Sequence, residues 1–292
     1  MRLGRNVLFR VATSKRLERA VKRVPGGERA AWRSASRYVA SRSRSGALAT
    51  VEKLLERGHG VSVDLFGERV SDSAVADEVR EDYLALVAAL PPPPADVWLS
   101  VDLSHLALGA GAAAAADRLA AIADALPVGR RVQVGAEEAA LTDLVQACVV
   151  AVAAGGGLAD RLGATVQANL MRSSADTDAL ADAGVHVRLV KGAYVEATGA
   201  HPYGEPTDVA FLRLGFRLAE RGAAWSMATH DGRLREALLL AHASVPVEQL
   251  LGVRPEALDE LHDRSVPTRV YVPYGPDWFR YWTRRLAESR GA

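Results

Sequence analysis

The chain has 292 residues, 49% hydrophobic and 24% charged, a composition that excludes general disorder and allows a large core. Its 36 Lys and Arg against 35 Asp and Glu leave a net charge of +1, so no global field points to nucleic acid or to an acidic partner. A single cysteine, Cys148, excludes a disulfide framework and a cysteine-rich metal site, and no metal is expected.

Residues 1–58 read as an N-terminal helical arm that packs on the main domain. The apolar stretch from Asn6 to Phe9 stops at Arg10, too short for a signal-peptide core. Basic residues crowd the first forty-odd residues of this arm, from Arg2 and Arg5 to Arg33 and Arg37, against only Glu18 and Glu28. They form either a solvated helix face or an attachment to an anionic surface.

From residue 59 to 292, short β-branched runs alternate with Ala/Leu helical patterns, as in repeated βα units. Strands are expected at 60–65, 97–103, 131–134, 164–168, 185–191, 224–229, 245–250 and 268–272. Helices are expected at 73–89, 112–125, 137–153 and 207–221, among others. Eight such units close a (β/α)8 barrel of the α/β class, with an open doubly wound sheet as the alternative. The longest apolar run, near 147–154, falls short of the roughly 20 residues of a membrane span, so a cytoplasmic location is expected.

A barrel carries its chemistry at the C-terminal strand ends. Those ends read Asp64 and Glu68, Asp102 and Ser104, Glu137 and Glu138, Gln167 and Asn169, Arg188 and Lys191, Thr229 and His230, Glu248 and Gln249, and Tyr271. So much charge ending apolar strands is costly unless it is paired or used. The run from Gly109 to Ala114 imitates a dinucleotide fingerprint, but Gly135 stands near where its acidic partner should be. His230-Asp231 lacks the second histidine of a zinc site, and no nucleophile elbow occurs. Lys191 suits a Schiff base or a cofactor phosphate, and the adjoining Gly192 favours the phosphate.

Near the C-terminus, Tyr281, Arg284, Arg285 and Glu288 fall at i, i+3, i+4 and i+7, on one helix face that leans over the barrel mouth. Two guanidinium groups grip a carboxylate and Glu288 holds an amine, which together describe an amino-acid clamp. The alternative is a surface helix with an i,i+4 ion pair.

Arg188-Leu-Val-Lys-Gly-Ala-Tyr194, Arg269-Val-Tyr-Val-Pro-Tyr-Gly275 and Arg284-Arg-Leu-Ala-Glu288 together closely resemble the flavin-dependent proline dehydrogenases. Weaker agreement runs from Asp64-Leu-Phe-Gly-Glu68 through Val166-Gln-Ala168 to Thr229-His-Asp231. The resemblance implies FAD held without a Rossmann domain, oxidation of L-proline to 1-pyrroline-5-carboxylate by hydride transfer, and electrons passed to a quinone or another acceptor. By position it places Arg188 beside the reactive flavin nitrogen, and Gln167, Val190, Lys191, Gly192, Thr229, His230 and Glu248 around the cofactor. The substrate site it implies comprises Ala193, Tyr194, Leu250, Tyr271, Tyr281, Arg284, Arg285 and Glu288, with Asp102.

The chain also departs from that pattern. Where the family has a substrate-contacting lysine, this chain has Asp102 in Ser100-Val-Asp-Leu-Ser104; where it has an aspartate, this chain has Gly135. Glu248 replaces a glutamine and Asn169 a tyrosine. Joint loss of a charged pair leaves no orphaned charge and points to a reshaped site, one suited to proline or to another cyclic or secondary amine whose extra donor Asp102 engages. Three readings stand: an amine oxidoreductase, a catalytically inactive flavin-binding homologue with a regulatory or assembly role, and a Schiff-base lyase using Lys191. Peripheral contact of the basic arm with the inner face of a membrane is a further expectation.

Overall fold

Eight short strands form a closed parallel barrel in chain order: β1 (Gly60–Leu65), β2 (Val97–Val101), β3 (Val132–Val134), β4 (Leu162–Gln167), β5 (His186–Val190), β6 (Trp225–Ala228), β7 (Val247–Leu250) and β8 (Thr268–Tyr274). β8 returns to pair with β1 over six residue pairs. The structure is a computed structural model and describes residues 15–194 and 196–289; of residues 15–16 and 287–289 it describes the backbone alone. The (β/α)8 expectation holds.

Among the described residues three helices precede the barrel: α1 (Lys15–Arg23), α2 (Gly27–Ala35) and α3 (Arg44–Glu56). The outer ring is α4 (Ser73–Ala89), α5 (Ala112–Ala125), α6 (Thr142–Gly156), α7 (Ser173–Asp182), α8 (Glu205–Glu220), α9 (Gly232–Ala241), α10 (Pro255–Asp263) and α11 (Trp278–Ser289). Strand alternation sends Val61, Val63, Leu99, Val101, Val187 and Leu189 outward into one core with Tyr83, Leu86, Leu119, Phe211 and Leu218 of the helices. α3 adds Ala47, Val51 and Leu54 to that core, against β1 and β8. α2 instead docks on α11, where Trp32 meets Trp278 edge-on at 5.0 Å and Arg42 lies 4.6 and 4.9 Å from their rings.

Three expected boundaries shift for local reasons. β2 ends at Val101 because the Asp102 carbonyl accepts the His105 N–H in a turn. α6 begins at Thr142, not at 137, since Glu137 is drawn away. Its carboxylate accepts the Ser104 N–H at 2.8 Å and its carbonyl accepts from Gln167 Nε2 at 2.8 Å. Gly157, left-handed at φ 61°, ends the helix three residues later than expected. With the preceding 3-10 turn, Ala139–Gly156 is 18 residues with a mean hydropathy of 1.6, long and apolar enough by composition to cross a membrane. It is a barrel helix. Val145, Cys148, Val149 and Val152 recur at i, i+3, i+4 and i+7 and are buried against the core.

Candidate active site

The same alternation that buries valine outside the barrel points polar residues inward. In the lowest layer Arg269 stacks 3.4 Å over Trp98, Trp98 meets His186 at 5.1 Å, and His186 Nδ1 lies 3.1 Å from Gln133 Oε1. In the next layer Arg188 Nε donates to Glu248 Oε2 at 2.7 Å and its Nη2 to Ser62 Oγ at 3.2 Å. Ser226 Oγ donates to the other Glu248 oxygen at 2.5 Å. Both members of this ion pair are buried, and every oxygen of Glu248 is used, as a buried carboxylate requires.

Above them lies an acidic mouth. Asp64 accepts from Tyr83 OH at 2.9 Å and from Tyr271 OH. Burial pushes its carboxyl up to about 6, against the pull of those two hydroxyls and of Arg188. Burial, reinforced by Asp64 and Glu137, pushes Asp102 well above the usual carboxylate range, with Arg284 opposing. Burial raises Glu137 as well. The Asp102 carboxyl occupies the space beside Gly135, where any Cβ would overlap its Oδ1.

α11 lies over this mouth. Arg284 Nη2 donates to Glu68 Oε2 at 2.6 Å and Arg280 Nη1 to Glu68 Oε1 at 3.3 Å. Burial opposes ionisation of Glu68, yet Arg284 with Arg280 and Arg69 holds it below the usual range. Tyr281 packs edge-on to Phe66 at 5.2 Å and 6.1 Å from Tyr271, and the Arg285 guanidinium sits 5.1 Å from the Tyr281 ring. Of Glu288 only the backbone on α11 belongs to the described residues; its side chain, and with it the expected amine contact, lies outside them. Arg284 thus meets Glu68, a partner 216 residues away.

The ends of β4 to β7 make a second group. Gly192 has φ 106°, and a Cβ there would overlap Asn169 Oδ1, an atom that is buried without a hydrogen-bond partner. Among the described residues the Gly192 and Ala193 N–H groups have no acceptor. Lys191 pairs with Asp208, and with Asp231 at 3.6 Å. That setting contradicts the Schiff-base expectation, which needs an apolar pocket rather than two carboxylates. His230 Nε2 accepts the Leu250 N–H at 3.2 Å, and burial, then Arg285 and Arg254, lowers the ring to about 4. Thr229 Oγ1 accepts the Asp231 N–H at 3.1 Å. Gln167 turns to the Glu137 carbonyl, Val190 closes β5 with its carbonyl on the Ala168 N–H, and the Tyr194 carbonyl accepts from Asn169 Nδ2. A bare glycine backbone, a lysine ammonium and a neutral imidazole fit the diphosphate and ribityl chain of a flavin dinucleotide.

The structure therefore gathers Asp102, Tyr194, Tyr271, Tyr281 and Arg284 at one mouth, above Arg188 and Glu248, with Gln167, Val190, Lys191, Gly192, Thr229, His230 and Leu250 along the neighbouring strand ends. Glu68, Asp64, Asn169 and Glu137 join them. Each stood at a strand end in the sequence, the signal that marks them, although the site residues expected from the sequence left them out. Ser62 and Ser226 carried no signal beyond the strand period of two. The Gly109 to Ala114 run spans the end of the β2–α5 loop and the first turn of α5, with Gly109 and Ala110 exposed.

Residues 47–292 match the proline dehydrogenase family. The chain is 30% identical over 272 residues to a proline dehydrogenase of Deinococcus radiodurans, covering 88% of this chain and 87% of that one. It is 31% identical over 271 residues to proline dehydrogenase 1 of Bacillus subtilis subsp. natto, covering 87% and 86%. A crystal structure of proline utilization A from Bdellovibrio bacteriovorus, inactivated by N-propargylglycine, shares the fold with a TM-score of 0.81 at 19% identity. That match covers 98% of this chain, which spans 37% of the longer protein.

Proposed function

The chain belongs to the proline dehydrogenase family, and from that membership we propose that it is an FAD-dependent oxidoreductase acting on the CH–NH bond of L-proline or a proline-like cyclic amine. The observation that carries this reading is the stack of Arg284 and Tyr281 on α11 over Tyr271 and the buried Arg188–Glu248 pair. Lys191, the Gly192 backbone, Asn169, Thr229 and His230 would hold the cofactor. The flavin supplies the acceptor for the hydride that leaves the carbon beside the ring nitrogen.

The residues of the chain position and exclude. Arg284 and Arg285 orient the substrate from above, Tyr271 and Tyr281 form the aromatic wall, and Leu250 closes the apolar side. Arg188, fixed from β1, β6 and β7, is preorganised to stabilise negative charge developing next to it without having to move. We assign the electrons to a quinone or another small acceptor, and the protein to the cytoplasm, with its basic arm as the element for peripheral membrane contact.

Purification under native conditions tests the reading. The protein should be yellow, and L-proline or a related cyclic amine should bleach the flavin absorbance anaerobically. A colourless protein that refuses added FAD sinks the proposal. A yellow protein that no cyclic amine bleaches would instead be an inactive flavin-binding homologue.

A further inference from the structure

Gly135, at the end of β3, is not a glycine of backbone necessity. Its φ lies outside the left-handed region that holds Gly157 and Gly192, so any residue suits its dihedrals. Space is what forbids a side chain, because a Cβ would run into Asp102 Oδ1. Asp102 and Gly135 are therefore one device: the glycine makes the recess that the carboxyl fills.

Among the described residues no donor is hydrogen-bonded to that carboxyl. Facing it are Asp64 of β1, Glu68 of the β1–α4 loop, Glu137 of the β3–α6 loop, Tyr83 of α4, Tyr194, Tyr271 of β8 and, as the cation, Arg284 of α11. Arg284 is 8% exposed; one of its nitrogens is bound to Glu68, and its Nε is buried with no partner. Arg284 Nε is thus a buried donor without a partner, costly to leave so, within the electrostatic reach of a carboxyl that no donor meets. A carboxylate would accept from Arg284 Nε but would bring another negative charge against the acids. A carboxamide or hydroxymethyl group accepts from Arg284 and donates to Asp102.

We propose that Asp102, accommodated by Gly135, is the specificity determinant of this mouth, and that it selects a cyclic secondary amine whose substituent beside the ring nitrogen is a neutral donor–acceptor group rather than a free carboxylate. The inference rests on amine oxidation at this site and narrows its substrate class. Asp102 with its proton on can still donate to a carboxylate, so binding of L-proline takes up a proton and strengthens as pH falls, whereas a carboxamide accepts either form.

Calorimetric binding to the FAD-loaded protein, which requires no turnover, tests this with L-prolinamide and L-proline as probes at about pH 8 and about pH 6. At the higher pH L-prolinamide should bind at least about tenfold more tightly, and in Asp102→Asn, which keeps the shape without the charge, the preference should fall to about threefold or less. In the wild-type protein alone, lowering the pH should narrow the gap, a readout independent of how the variant folds. Equal or tighter binding of L-proline at the higher pH, or a preference that survives Asp102→Asn, overturns the proposal. Anaerobic bleaching reads amine oxidation separately, so a loss of that activity and a loss of this selectivity are distinguishable.

Discussion

At position 135 a single methyl group decides whether Asp102 keeps its place. Gly135→Ala should lower stability by about 1–3 kcal/mol, the usual cost of overpacking a filled site. Asp102→Ala in the same chain should recover most of it, since the colliding carboxyl is gone. Urea unfolding of the two single variants and the double variant measures the coupling; additive losses would mean that the recess does not exist. The candidate site was legible in sequence where one residue's type and spacing sufficed. Arg188 and Tyr271 follow from two short motifs, and Tyr281 and Arg284 from their helix spacing. Their partners did not follow, because barrel closure chooses them: Arg188 meets Glu248 across 60 positions, Tyr271 meets Asp64 across 207, and Arg284 meets Glu68 across 216.

Among elements, α2 explains how a helix near the C-terminus is held over the mouth. Trp32, Trp278, Phe279 and Trp282 form an aromatic cluster with Ala31, Ala35, Val39 and Phe66, separate from the barrel core. Arg42 lies against two of these rings and is tied to Glu28 at 2.9 Å. Trp32→Ala should therefore loosen α11 and cost about 1–3 kcal/mol, less than the 3–5 of a fully buried tryptophan because Trp32 is half-buried. Thermal unfolding should show a lower midpoint, and the Michaelis constant should rise severalfold while flavin content stays near wild type. Unaltered kinetics would separate the arm from the clamp. In the sequence the arm's basic residues drew attention, whereas its one tryptophan makes the contact. Strand positions were legible from short β-branched runs and helices from Ala/Leu patterns. The ends were not, since side chains such as Glu137, with its bond to the Ser104 N–H, decide where a helix starts.

For the whole molecule, a net charge of +1 hides buried groups whose titrations oppose one another. Asp64 is raised by burial to about 6 from 3.8, and Asp102 and Glu137 are raised as well. Between about pH 4 and 6 the folded protein holds the Asp64 proton more firmly than the unfolded chain does, so its contribution to stability is fully present at the acid end and is lost as pH rises; Asp102 and Glu137 act in the same direction. His230 is lowered by burial to about 4 from 6.5, and burial lowers His59, His105 and His186 too. Here the unfolded chain binds more protons, so this contribution is present above about pH 6.5 and is lost as pH falls. The two sets offset across the same window, and removing one member should expose the other. Asp64→Asn should make stability climb more steeply with pH between about 4 and 6, whereas His230→Gln should tilt the curve toward falling. Urea unfolding at half-unit pH steps reads both slopes, and parallel curves for wild type and the two variants would show that these burials do not govern the titration.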